Sequence, residues 1–115
     1  MKMLHVTIQT ARFEEEIAFY RDVVGLTIRR DARPGRNMVF LSDSEGDTEI
    51  EIIGNPESAD AGNAFLSVGF RTGDAEVFRA KLEAKGFAPG PMTAPGPGVK
   101  FFFVRDPAGV NVQFM

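Results

Sequence analysis

Residues 4–9 (Leu-His-Val-Thr-Ile-Gln) alternate apolar and polar side chains, the period of a strand with one buried face. Phe13, Ile17, Tyr20 and Val24 then recur at spacings of four and three, which sets them on one side of a helix. Glu14, Glu15 and Glu16 suit its positive N-terminal end, and Gly25 suits the left-handed residue that closes it. Three strands are expected next, at Leu26 to Arg30, Asn37 to Leu41 and Thr48 to Ile53. They are separated by the turn-forming Pro34-Gly35 and Glu45-Gly46-Asp47. The first half therefore reads βαβββ.

The second half repeats that order. Phe65 to Arg71 reads as a strand, Asp74 as an N-cap, and Ala75, Phe78 and Leu82 as a helical stripe ending at Lys85-Gly86. Lys100 to Val104 and Val110 to Phe114 are strands around the turn Asp106-Pro107-Ala108-Gly109. Pro89, Pro91, Pro95 and Pro97 confine any strand between Gly86 and Gly98 to a short edge position. A constant offset of 62 maps Val6 to Val68, Ile8 to Phe70, Thr10 to Thr72, Phe40 to Phe102, Ile50 to Val112 and Ile52 to Phe114. One offset serving three separate strands predicts an internal duplication. The chain is expected to be a single domain of two repeats, with modules at 1–56 and 64–115.

Alternation also sorts the strand side chains by face. Val6, Ile8, Ile50, Ile52, Val68, Phe70, Val112 and Phe114 make an apolar face for the helices. His5, Thr7, Gln9, Glu49, Glu51, Ser67, Arg71, Asn111 and Gln113 then fall on the other. That polar set either meets solvent, as one face of many antiparallel sheets does, or lines a binding cleft if the sheet curves.

Composition narrows the partners. A chain of 115 residues, 43% hydrophobic and 25% charged, supplies one domain's worth of core. A net charge of −3 gives no electrostatic reason for nucleic-acid binding, and Arg29, Arg30, Arg33 and Arg36 are interleaved with Asp31, Asp43, Glu45 and Asp47. With no cysteine there is neither disulfide nor thiolate chemistry. No apolar run approaches the roughly 20 residues of a membrane helix, and the N-terminus lacks a signal-peptide core, so a cytoplasmic protein is expected.

Two stretches carry a specific resemblance. Phe19-Tyr20-Arg21-Asp22-Val23-Val24-Gly25-Leu26 and Arg105-Asp106-Pro107-Ala108-Gly109-Val110-Asn111-Val112-Gln113, placed in this repeat, resemble the vicinal oxygen chelate superfamily of glyoxalase I, bleomycin-resistance proteins and extradiol dioxygenases. The resemblance implies an α+β fold of two tandem βαβββ modules forming a curved mixed sheet with a cleft. It also implies one metal ligand from the first and one from the last strand of each module. His5 and Glu51 match those positions in module one, and Glu51 is in addition the candidate catalytic base. Module two keeps the spacing of 46 but carries Ser67 and Gln113 where metal-dependent relatives commonly carry His and Glu. The implied cofactor is a divalent metal (Ni, Co, Zn, Mn or Fe) held weakly by His5, Glu51 and Gln113, because a serine hydroxyl and a glutamine amide are poor neutral donors.

His5 is thus a ligand or a satisfied pocket histidine, and Glu51 is a base or a carboxylate paired with Arg71. Thr7, Ser67 and Arg71 are candidate contacts to a small-molecule ligand. By similarity to fosfomycin-resistance enzymes, Phe101 and Phe103 wall the pocket, the alternative being core packing. The resemblance also implies a homodimer. Three functions follow: a metal-free binder of a small, partly apolar molecule, a metal-dependent lyase or isomerase of the lactoylglutathione lyase type, and extradiol ring cleavage. The last ranks lowest because a single His cannot build a two-His iron site.

Overall fold

The computed structural model describes residues 1–59 and 61–115. They form two compact units, Met1–Ala61 and Gly62–Met115. In the first, β1 (His5–Thr10) leads into α1 (Phe13–Ala18), a π-helical turn (Phe19–Val23), β2 (Thr27–Asp31), β3 (Met38–Ser42) and β4 (Glu49–Gly54). The sheet order is β1-β4-β3-β2, with β1 and β4 parallel and the other pairs antiparallel. The expected alternation holds in β1, where Ile8 and Thr10 are buried while His5, Thr7 and Gln9 are exposed.

Of the predicted stripe, Phe13, Ile17 and Tyr20 are inside and Val24 is half-buried. It does not remain α-helical to its end. The N–H of Val24 donates to the carbonyl of Phe19 at 3.2 Å, five residues back, and this wider turn precedes Gly25 at φ 87°. Glu16, expected with its neighbours at the solvated helix start, is instead fully buried. It lies three residues after Phe13 and four before Tyr20, on the stripe that faces the sheet. At Gly54 the backbone comes close to the helix, and a Cβ there would sit 3.0 Å from Phe13 Cγ and 2.9 Å from Asn37 Cβ.

A 3₁₀ turn (Ala61–Phe65) leads into the second unit, which holds β5 (Ser67–Phe70), α2 (Ala75–Ala84), β6 (Thr93–Gly96), β7 (Val99–Arg105) and β8 (Asn111–Phe114). Its order, β5-β8-β7-β6 with β5 and β8 parallel, copies the first. Asp74 caps α2 as expected, accepting from the N–H groups of Glu76 and Val77 at 3.0 and 3.1 Å. Leu82 is buried, and Phe78 meets the Phe114 ring at 4.8 Å between centroids. β6 is the expected short edge strand, exposed throughout and containing Pro95. The Asp106–Gly109 turn is locked by the buried Asp106, whose carboxylate accepts from Val110 N–H at 2.9 Å.

One expectation about the repeat is overturned. The offset of 62 holds for the first and last strands, since His5 lies opposite Glu49 as Ser67 lies opposite Asn111. The third strands differ: Phe40 pairs with Glu51, and the residue that pairs with Gln113 is Phe103, an offset of 63. Phe40 is therefore the counterpart of Phe103, and the counterpart of Phe102 is Val39, which pairs with Ile52 as Phe102 pairs with Phe114. The turn into the last strand is one residue shorter in module two, and one residue exchanges the two faces of a strand.

Candidate functional site

In module one the polar face gathers around Glu51. The parallel register of β1 and β4 sets Thr7 directly across from Glu51, and the Thr7 hydroxyl donates to Glu51 Oε1. His5, one strand repeat earlier on the same face, brings Nε2 to 3.6 Å from that oxygen. Glu51 is only 8% exposed, whereas the His5 side chain is 39% exposed, so the carboxylate sits beneath an accessible imidazole. Phe40 closes one side, its ring edge-on to His5 with centroids 5.8 Å apart. Over Phe40 lies the Arg30 guanidinium, 3.7 Å from the ring centroid, which also pairs with Glu49 at 2.8 Å.

A cation, an aromatic ring, an imidazole and a buried carboxylate thus stand in series on one face. Arg30 reaches this face because a bulge between Ile28 and Arg30 shifts the register of β2 against β3. Reading the sequence did not single out Arg30 or the face of Phe40. A bulge has no reliable signal in a run such as Thr27-Ile28-Arg29-Arg30, and Val39, Phe40 and Leu41 are all buried, leaving no alternation to set parity.

Module two presents the equivalent face with different chemistry. Ser67 is exposed on β5, and Gln113, partly buried on β8, lies across from Gly69 and Phe103. Gly69 stands where Thr7 stands in module one, and a Cβ there would lie 3.4 Å from Gln113 Oε1. The amide therefore rests over a position without a side chain and has no hydroxyl clamp. Asn111 donates from Nδ2 to the Ala64 carbonyl at 2.7 Å.

Phe101 and Phe103 meet edge to face at 5.8 Å, while Phe102 points the other way into the core. Phe103 remains 37% exposed, so it offers ring surface that Phe102 does not. Arg71 follows β5 and is exposed, and the group beside Glu51 in module one is the His5 imidazole. The structure thus brings His5, Thr7 and Glu51 together on one sheet. On the other it sets Ser67, Gln113 and Phe103 along one face.

A divalent metal would need more donors than module one offers. Among the described residues no three His, Cys, Asp or Glu side chains gather closely enough to hold one. Catalytic zinc sites use three protein ligands and a water, and here a single imidazole and a single carboxylate, the latter already bonded by Thr7, stand together. The residues gathered in module one do not by themselves fit such a site.

A chain of two such units can be matched to known proteins. The family model described as the Glyoxalase/Bleomycin resistance protein/Dioxygenase superfamily matches residues 2–114, and the chain belongs to that family. Lactoylglutathione lyases of Neisseria meningitidis serogroups A and B are each 29% identical over the whole chain and 90% of their own length. Among solved structures, lactoylglutathione lyase from Agrobacterium tumefaciens superposes with a TM-score of 0.74 at 23% identity, covering 97% of this chain and 90% of that one. TnmS3, an antibiotic binding protein from Streptomyces, superposes with a TM-score of 0.77 at 17% identity, covering 99% and 93%. These likenesses establish the α+β fold of two modules. No helix of the described residues is long and apolar enough to cross a membrane.

Proposed function

We propose that this chain binds a small, partly apolar molecule on the polar faces of its sheets, and that its divalent-metal site is degenerate. The observation that carries the reading is the contrast between Thr7-Glu51-His5 and the uncharged Gly69, Gln113 and Ser67 at the equivalent positions. Phe101 and Phe103 in module two supply apolar surface beside hydrogen-bonding groups, the mixture that small-molecule sites use. Thr7 acts through Glu51 in this reading, and Glu51 with His5 makes the polar contact. The Streptomyces relative named as an antibiotic binding protein shows the same fold serving a binding role. A cytoplasmic homodimer is part of the proposal, and sedimentation at high micromolar concentration tests it.

Metal analysis of protein purified without a histidine tag is the deciding experiment. Metal well below one ion per chain is expected, and stoichiometric metal overturns the degenerate-site reading. In its place would stand the second reading, a lactoylglutathione lyase-type enzyme, which the Neisseria relatives favour. In that case Glu51, buried and fixed by Thr7, is the group to hold and move a proton. Glu51→Gln should then abolish turnover in a lactoylglutathione lyase assay supplied with Ni²⁺ or Zn²⁺.

A further inference from the structure

Module one also contains a cavity of about 550 Å³ that neither His5, Thr7 nor Glu51 lines. It lies between the segment preceding β1, strand β2 and the turn joining β3 to β4. One part of its wall is apolar, with Met3 and Leu4 more than 60% exposed and Ile28 half-buried. The other part carries the ends of Lys2, Arg29 and Arg30. The volume is within the range that takes a small organic ligand.

The state of the three cations defines what would fit. Arg30 has its charge met by Glu49 at 2.8 Å. Arg29 is held by neutral oxygens instead: Nε donates to Ser42 Oγ at 3.3 Å and Nη2 to the Asp43 carbonyl at 2.6 Å. Lys2 Nζ likewise donates to the Gly46 carbonyl at 2.5 Å. No carboxylate among the described residues is ion-paired with Arg29 or Lys2. The bulge at Arg29 lets two successive arginines line one cavity, which a regular strand would send to opposite faces. Two cations are thus positioned by dipoles that do not cancel their charge.

Glu45, Asp47 and Glu49 also line the cavity, Glu49 engaged by Arg30 and Asp47 accepting from the Ser44 N–H at 3.2 Å. These carboxylates oppose a multiply charged anion such as a phosphate ester and leave room for a single negative charge. From this juxtaposition we infer that the cavity binds an amphipathic monocarboxylate, its apolar body on Met3, Leu4 and Ile28 and its carboxylate on Arg29 and Lys2. This site uses neither His5 nor Glu51, and Arg30 and Glu49 stand at its border with their face.

Octanoate is the probe, titrated into the full-length protein while backbone amide NMR shifts are followed, with 1-octanol, octylammonium and octyl phosphate as controls. Octanoate should shift amides of residues 28–30 and 42–47 and bind at least about tenfold more tightly than either uncharged or cationic control. Octyl phosphate should bind more weakly than octanoate. Arg29→Gln should weaken octanoate about tenfold, whereas Arg29→Lys, which keeps the charge, should stay within about threefold. Because Arg29 also braces the 43–47 turn, equal losses in both variants would mean a structural role only and overturn the inference. Shifts confined to residues around Thr7 and Glu51 would overturn it too while supporting the other site. Tighter binding of octyl phosphate, or octanoate binding no tighter than octanol, would refute the carboxylate assignment.

Discussion

The two modules fold alike and differ where chemistry would occur. Both put a first strand parallel to a last strand with the same pairing, and both cover one sheet face with a helix. On the polar face, module one stations His5, Thr7 and Glu51, and module two answers with Ser67, Gly69 and Gln113. Two modules can evidently share the pairing of their first and last strands while only one carries ionisable groups at these matched positions. The apolar face enforces pairing through burial, which is indifferent to what the opposite face carries.

The largest effect expected from testing this comparison lies in the core of the third strands. Phe102→Ala should cost about 3–5 kcal/mol, because the ring is fully buried and its removal leaves a cavity. Phe103→Ala, on the opposite face and partly exposed, should cost less than about 1 kcal/mol. Denaturant unfolding of the two variants decides the matter, and reversed magnitudes would undo the corrected repeat register.

Next comes metal affinity. Ser67→His combined with Gln113→Glu gives module two the imidazole and carboxylate that module one holds. Calorimetry should then show Ni²⁺ or Zn²⁺ binding at least about tenfold tighter than in the wild type, about 1.4 kcal/mol. Unchanged affinity would mean that these positions do not converge, and the assignment of this site would be abandoned. Melting curves with and without metal guard against a fold defect from the added carboxylate.

Most of the architecture was legible because its signals are local. Period-two alternation in β1, the Asp74 cap, and Gly25 and Gly86 at positive φ each follow from short-range sterics and hydrogen bonding. The site was readable only in part. His5, Thr7 and Glu51 sit on alternating strands, so their shared face could be inferred, but the Thr7 to Glu51 bond depends on register between strands 44 residues apart. Phe40 was matched to Phe102 instead of Phe103 because Phe101-Phe102-Phe103-Val104 is apolar without a break and turn length alone decides the match. Arg30 and the buried Glu16 were hidden by a bulge and by tertiary packing respectively.

Smaller effects should separate the modules at the clamp itself. Thr7→Val removes the hydroxyl from a largely buried carboxylate and should destabilise by about 1–2 kcal/mol in thermal or urea unfolding. At the matching position Gly69→Ala should stabilise by about 0.5 kcal/mol, since the added methyl meets Gln113 at an ordinary 3.4 Å and a strand glycine is entropically costly. If Thr7→Val is neutral, the hydroxyl does not anchor Glu51.

The slightest effect is electrostatic and confined to module one. Hydrogen bonds from the Arg33 side chain, with a further one from its backbone N–H, hold the exposed Asp31 carboxyl down from 3.8 to about 2. Its small contribution is therefore complete above the unfolded pKa and fades as pH falls through 3.8 toward 2. The melting temperature of Asp31→Asn should sit slightly below that of the wild type at neutral pH, and the gap should close below about pH 2. A gap that stays constant down to that pH would exclude the ionised Asp31 as its source.

The outer strands β2 and β6 bear on how the protein behaves when concentrated. An open sheet edge is a template on which another chain can add a strand and begin to aggregate. β2 breaks that template with a bulge followed by Arg30 and Asp31, and β6 with Pro95, which has no N–H to donate. Neither edge offers an unbroken row of hydrogen-bonding groups, so strand addition is disfavoured at these two boundaries even in crowded solution.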